Sequence, residues 1–453
     1  MTLIVFIIYW TAALIRLYSE RATTWDFGYY SQILWLINHG HWLAKSTLNG
    51  HDALTDAGSW ILYPIGWAYS ILHSPGILFL QSAALASGIP FLAWWMKKYP
   101  VGSIPFWGIL CLYSVYPAVL GSALFDWHPD TLAIPAFFYA AWAIETHHTR
   151  HFWLSCMLML LTKVTAALII IGLAAPWLLR RQWKMALATF LIGVLLAYVE
   201  VDVLFPALAG HQMAQWQQYY GWLGPTPLSG IKNLILHPEI LLTAAFRHVD
   251  ILYILLLGAP LAFLPTIWGL IRGGWAWPAW IMVVFNGLSL FSAQMNAFNQ
   301  YSLPIAPFWF ISLILLWRQL PSRPATFLIP WGLAALSVGL WAKEEKPLIW
   351  YNKNPTRALV DCLSKIPPGV PVYGQNSTLA TVSSRSVVRF LPLPPRPALQ
   401  LHTVVILNQN VNPANRLTPL SVVNATLRRL KTHPQYWMLI VHQGPIWVFQ
   451  LKD

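Results

Sequence analysis

Long apolar runs, broken by short charged or turn-forming segments, fill most of residues 2–342 and decide what this chain can fold into. A helix needs about 20 apolar residues to cross a bilayer. Eleven candidate spans can be marked, at 2–18, 76–96, 103–122, 131–146, 151–162, 165–179, 184–205, 249–271, 275–292, 303–317 and 325–342, two of them short and lying on either side of Lys163. Only 9% of the residues are charged, against about 25% in a soluble domain. The expectation is an α-helical polytopic membrane protein, with membrane lipid as its first partner. The net charge of +13 would suit nucleic acid only if the bases formed one solvated patch. They are dispersed, so no nucleic-acid partner is expected. Cys111, Cys156 and Cys362 make no disulfide framework. Residues 2–18 lack a basic leader and a small-residue cleavage site, which reads as a retained anchor.

Orientation follows from the basic residues of the short loops. With a cytoplasmic N-terminus, the inner loops carry Lys97, Lys98, Arg150, Arg180, Arg181, Lys184, Arg272, Arg318 and Arg323, and Glu145 is the one acid near them. The outer side then holds Asp26, Asp52, Asp56, Asp126, Asp130, Glu239 and Asp250, together with everything after residue 343. Arg16 and Arg21 run against this sorting, and Arg16 is read as snorkelling to the outer interface. The segment 59–72 is apolar, but its 14 residues reach only about 21 Å, short of a core of roughly 30 Å. It is expected to lie at the interface or re-enter, which makes 19–75 one long outer loop. Within that loop Phe27, Tyr30, Leu34 and Ile37 recur at helical spacing, and Gly40 is a stop signal.

A second large outer loop spans 206–248. The transmembrane part is expected to be 1–342 and a small extracytoplasmic α/β domain 343–453, where five β-rich runs, VPVYG, SVVRFL, TVVILN, WMLIV and IWVFQL, alternate with helical stretches near 355–365 and 421–432. No G-x-G-x-x-G or G-x-x-x-x-G-K is present, so no nucleotide cofactor is expected.

Acids next to hydrocarbon are costly and mark function when several converge. Asp26 opens the first-loop helix in TTWDFGYY; it is either a helix-start carboxylate favoured by the macrodipole, or a base or metal ligand. Asp126, His128 and Asp130 alternate in FDWHPD and are candidate ligands of a divalent ion, Mg or Mn, although capping explains one of the acids equally well. Lys163 interrupts LLTKVTAAL, deep enough to need a partner: a salt bridge to one of these acids, or a phosphate. Asp56 in NGHDALTDAG, and Gln300 with Tyr301 at the outer mouth of a span, complete the candidate substrate-binding set. Glu200 and Asp202 read as solvated acids at a helix end.

Six blocks in order, WDFGYYSQILWLINHG, FDWHPDTLAIP, LLTKVTAAL, QYYGWLGPTP with NLILHPEIL, NQYSLPIAPF and IPPGVPVYGQNSTLATVSSR, resemble the landmarks of the domain-of-unknown-function 2079 predicted membrane proteins of bacteria and archaea. That family is similar to a branch of the GT-C glycosyltransferases, which move a sugar from a polyprenyl phosphate carrier outside the cytoplasmic membrane. The resemblance implies a GT-C-like fold and a lipid-linked sugar donor. The acceptor would be a glycan, lipid or protein of unknown identity. Asp26 matches the superfamily's first-loop acid, which acts as general base or helps bind metal; Asp126 and Asp130 match its second acidic motif, and Lys163 matches a lysine placed near carrier phosphate. The family's Asp-His-Phe-Ser-Pro block is reduced to DAGSW, which keeps Asp56 and Ser59. The function expected is a membrane glycosyltransferase in the cytoplasmic (inner) membrane. The alternative is a non-catalytic lipid-phosphate binder, a flippase or transporter, or a scaffold.

Overall fold

The computed structural model describes residues 1–54, 58–209, 214–245, 247–320, 324–350, 362–410 and 418–452. Apolar helices dominate up to residue 350. Two are long and apolar enough to cross a membrane, Tyr69–Lys98 and Trp183–Leu208; the bent pairs Ser103–Val115 with Pro117–Leu124, and Val249–Leu261 with Leu264–Ile271, raise the number to four if each pair is one span. Shorter apolar helices at Thr2–Tyr18 (α1), Ala166–Leu179, Ile305–Trp317 and Leu328–Leu340 lie where further spans were expected. By length and composition, then, two to four spans are established among the described residues, and the count of eleven is not.

The first loop shows why periodicity located its helix and missed the way it begins. Helix α2, Tyr29–Asn38, buries Tyr30, Leu34 and Ile37 along one stripe, and Gly40 follows its end with a φ of 83°. It is preceded by a π-turn, Thr24–Gly28, which carries Asp26. The 59–72 segment contains a helix of 6 residues, Leu62–Trp67, and the longer helix that follows is broken at His73, where φ is 48°.

The break at Lys163 is real. Helix Thr149–Thr162 stops at Lys163, whose backbone is extended (φ −166°, ψ 142°). Its last carbonyls, orphaned like those of any helix end, are taken by the first loop: Ile61 N donates to Leu161 O at 2.6 Å, and the Ser59 hydroxyl to Thr162 O at 2.7 Å.

After residue 362 all five expected strands form one sheet: β1 Val372–Gly374, β2 Val388–Phe390, β3 Val404–Asn408, β4 Trp437–Gln443 and β5 Ile446–Leu451, in the order β2-β1-β3-β5-β4. β1 pairs in parallel with β2 and β3, and β5 runs antiparallel to β3 and β4. Alternation along β3 sends Val404 and Ile406 to one face, Val405 and Leu407 to the other. Helix Leu420–Thr432 covers the second face through Val423, Leu427 and Leu430. Leu48 of the first loop packs against the cluster on the first. The helix expected near 355–365 falls largely outside the described residues.

Candidate active site

The first loop, the turn after Leu124 and the break at Lys163 meet at one place. The Asp26 carboxylate lies 3.4 Å from His128 Nε2, and the Thr23 hydroxyl is 3.0 Å from Asp26 Oδ2 and 2.8 Å from Asp126 Oδ2. Thr23 N also donates to Asp126 Oδ2 at 2.8 Å, and Arg16 Nε donates to Asp126 Oδ1 at 3.0 Å. Two residues beyond His128, Asp130 forms a 2.7 Å ion pair with Lys163, whose ammonium stands 4.7 Å from the centre of the Tyr301 ring.

The three carboxylates are not equivalent. The side chain of Asp126 is fully buried and that of Asp130 is 5% exposed, each against a cation, whereas the Asp26 side chain is 31% exposed. Asp26 is thus the acid that an incoming molecule can touch. Burial works to raise its carboxyl, but the His128 imidazole, the Thr23 hydroxyl and Arg16 outweigh that and hold it below the ordinary carboxylate value. Burial opposes charge on His128, yet Asp26, with help from Asp130 and the Asp126 carbonyl, keeps it above its usual value. His128 Nδ1 lies 3.0 Å from the Asp126 carbonyl, which orients the ring so that Nε2 faces Asp26.

Lys163 and Asp130 also line a cavity of about 260 Å³. The rest of its lining is mostly apolar and includes Ile171 and Val194 from helices, and Trp216, Leu223 and Leu234 from the second large loop. Tyr301 lines the cavity as well, while Gln300 is buried without lining it, and Asp56 lies outside the described residues. Glu200 is buried, a correction to the solvated acid that its place in the sequence suggested, while Asp202 is half-buried and lines the same cavity.

The side chains as placed do not fit the divalent ion expected at Asp126, His128 and Asp130. Both oxygens of Asp126 are occupied, by Arg16 and by Thr23, and one of Asp130 by Lys163. Among the described residues no three His, Cys, Asp or Glu side chains are grouped to hold a metal. Arg16, His128 and Lys163 supply the counter-charge instead. Arg16 is 7% exposed and buried against Asp126, a correction to the snorkelling expected of it. Its position against the charge sorting was the available signal; Thr23, uncharged in a loop, gave none.

None of the functionally curated proteins matches the chain. Among solved structures, ArnT from Cupriavidus metallidurans is similar in fold. Its apo state is 12% identical, with a TM-score of 0.54, and the alignment covers 98% of this chain and 97% of that one. Its structure bound to undecaprenyl phosphate is 13% identical, with the same TM-score and coverage. The helical body with a small C-terminal sheet is therefore similar in fold to ArnT. The sequence profile of the predicted membrane proteins called DUF2079 matches residues 16–437, nearly the whole chain, and this protein belongs to that family.

Proposed function

We propose that this protein is a membrane glycosyltransferase that moves a sugar from a polyprenyl phosphate carrier to an acceptor on the extracytoplasmic face. The observation that carries this reading is the largely apolar cavity whose lining includes the buried Lys163. A long hydrocarbon chain needs such a groove, and its phosphate needs a cation where the groove ends. The likeness in fold to a protein whose structure contains undecaprenyl phosphate supports the same class of donor.

In the proposed reaction the acceptor hydroxyl attacks the anomeric carbon, the bond from that carbon to the phosphate oxygen breaks, and the polyprenyl phosphate leaves with the bonding electrons. Asp26 accepts the hydroxyl proton, and inversion is expected. Held ionised by His128, Asp26 is always ready to accept, at some cost in basicity. Lys163 turns from Asp130 towards the leaving phosphate and neutralises its charge. No step passes through a metal.

The test uses purified protein in proteoliposomes, a radiolabelled polyprenyl phosphate sugar and a panel of acceptors. Transfer by the wild type, lost at least about a hundredfold in Asp26→Asn while carrier binding persists, is the expected result. Equal transfer by Asp26→Asn removes Asp26 as the base. Binding of carrier without transfer by the wild type moves the protein to the class of lipid-phosphate binders and flippases.

A further inference from the structure

The π-turn that carries Asp26 is five residues long, and a turn of this kind has little stability of its own. Two outside contacts set its register. On one side Thr23, its N-cap, is tied to Asp126 of the helical body. On the other side the C-terminal unit reaches in: Trp25 N donates to the Asn376 side-chain oxygen at 3.0 Å, and the Thr24 hydroxyl donates to the Asn376 carbonyl. Asn376 thus does for this turn what a capping side chain does for a helix, except that it comes from the far end of the chain. Thr24 is fully buried and Asn376 is 5% exposed, so water is a poor substitute for either bond.

The contact is broad enough to hold its place. Gly28, which closes the turn, sits so near Ser383 that a Cβ there would stand 2.7 Å from the serine hydroxyl. The Thr47 hydroxyl exchanges two 2.9 Å hydrogen bonds with the backbone of Val388, satisfying the free edge of β2, and Gln32 donates to the Ser386 carbonyl at 3.1 Å.

We propose that Asn376 is a positioning residue for Asp26, and that the C-terminal unit is therefore a working part of the transfer site. Fixing Thr24 and Trp25 fixes the direction in which the next side chain points. For its activity arm the proposal rests on the transfer reading above; its structural arm does not.

The experiment uses the full chain in nanodiscs and follows hydrogen exchange of the peptide 23–30 alongside sugar transfer and binding of a polyprenyl phosphate. In Asn376→Ala, and independently in Thr24→Val on the loop side, exchange of that peptide speeds up about tenfold, the factor for one lost hydrogen bond. Transfer falls by a similar factor and carrier binding is unchanged, while exchange elsewhere in the C-terminal sheet stays as in the wild type. Asn376→Asp, which keeps the accepting oxygen, restores slow exchange and most of the turnover. Unchanged exchange of 23–30 in Asn376→Ala overturns the proposal, as does full turnover in a variant whose turn has loosened. If the wild type transfers no sugar, the transfer reading has failed. The exchange arm then decides alone: acceleration in Asn376→Ala and in Thr24→Val, with slow exchange kept in Asn376→Asp, upholds the clamp, and no acceleration ends it.

Discussion

Lys163 is buried against Asp130, whose second oxygen has no hydrogen-bond partner among the described residues. Removing one member of a buried pair strands the other charge, at a cost of about 3–5 kcal/mol, whereas removing both is often nearly neutral. Lys163→Met is expected to lower thermal stability by that amount and to weaken polyprenyl phosphate binding at least about tenfold. Lys163→Met with Asp130→Asn should recover the stability without the binding. Recovery of both would mean that the lysine serves the ion pair alone. A second prediction concerns the Asp26–His128 pair. Asp26 has a lowered carboxyl, so its contribution is present above the ordinary carboxyl range and is lost as pH falls through the lowered value. His128 is raised above its ordinary 6.5, so its contribution is complete below that pH and is lost as pH rises through the raised value. Melting temperature should therefore plateau between the two, and His128→Gln should abolish the alkaline fall; an alkaline fall of the same size in the variant would exclude the pair as its cause. These residues were legible because ionisable groups in or beside apolar runs are expensive. Arg16 was not placed, because an arginine in the last turn of a span can reach water as readily as it reaches an acid.

At the scale of elements, the break after Thr162 is where local sequence and tertiary structure agree. LLTKVTAAL has no helix-stopping glycine or proline, and the stop is imposed by a charged side chain and by donors from the first loop. Ser59 is one of those donors, and its loss leaves a buried carbonyl short of a partner. Ser59→Ala is expected to cost about 1–3 kcal/mol and, since Lys163 is the next residue after the capped carbonyl, to weaken carrier binding as well. A drop in stability with no change in binding would show that the break is held by Ile61 and the ion pair without Ser59. The five strands of the C-terminal sheet were legible because β-branched and apolar runs between turns have few other uses. The π-turn was not: nothing in TWDFG distinguishes it from an ordinary first helical turn, and the acceptors that hold it open come from Asp126 and Asn376.

For the whole molecule, helical spans were marked by hydropathy alone, which cannot tell one long helix from two short ones meeting at an angle. Val249–Leu261 and Leu264–Ile271 read as one span, 249–271, yet they meet at 88°. What survives such bends is the sorting of charge. Glu145, the one acid expected among the basic inner loops, is paired with Lys98 at 3.0 Å and Arg180 at 2.7 Å, so three of the loops read as lying on one side do meet. The first loop and the C-terminal unit, joined through Thr47 and Val388, must share one side of the membrane. If the positive-inside rule holds for this chain, the Glu145 end faces the cytoplasm and the Asp26 end, with the C-terminal unit, faces the outside. Single cysteines introduced by Leu401→Cys, at an exposed position in the C-terminal unit, and by Arg181→Cys, at an exposed turn of an inner loop, test this in a background with Cys111, Cys156 and Cys362 replaced by serine. An impermeant maleimide should label the first in intact cells and the second only after the membrane is opened. The reverse pattern would invert the protein and place Asp26 in the cytosol, where a carrier-linked sugar would have to be presented from the inner leaflet. Equal labelling of both in intact cells would put Arg181 on the same side as the sheet, which an even number of crossings between them requires.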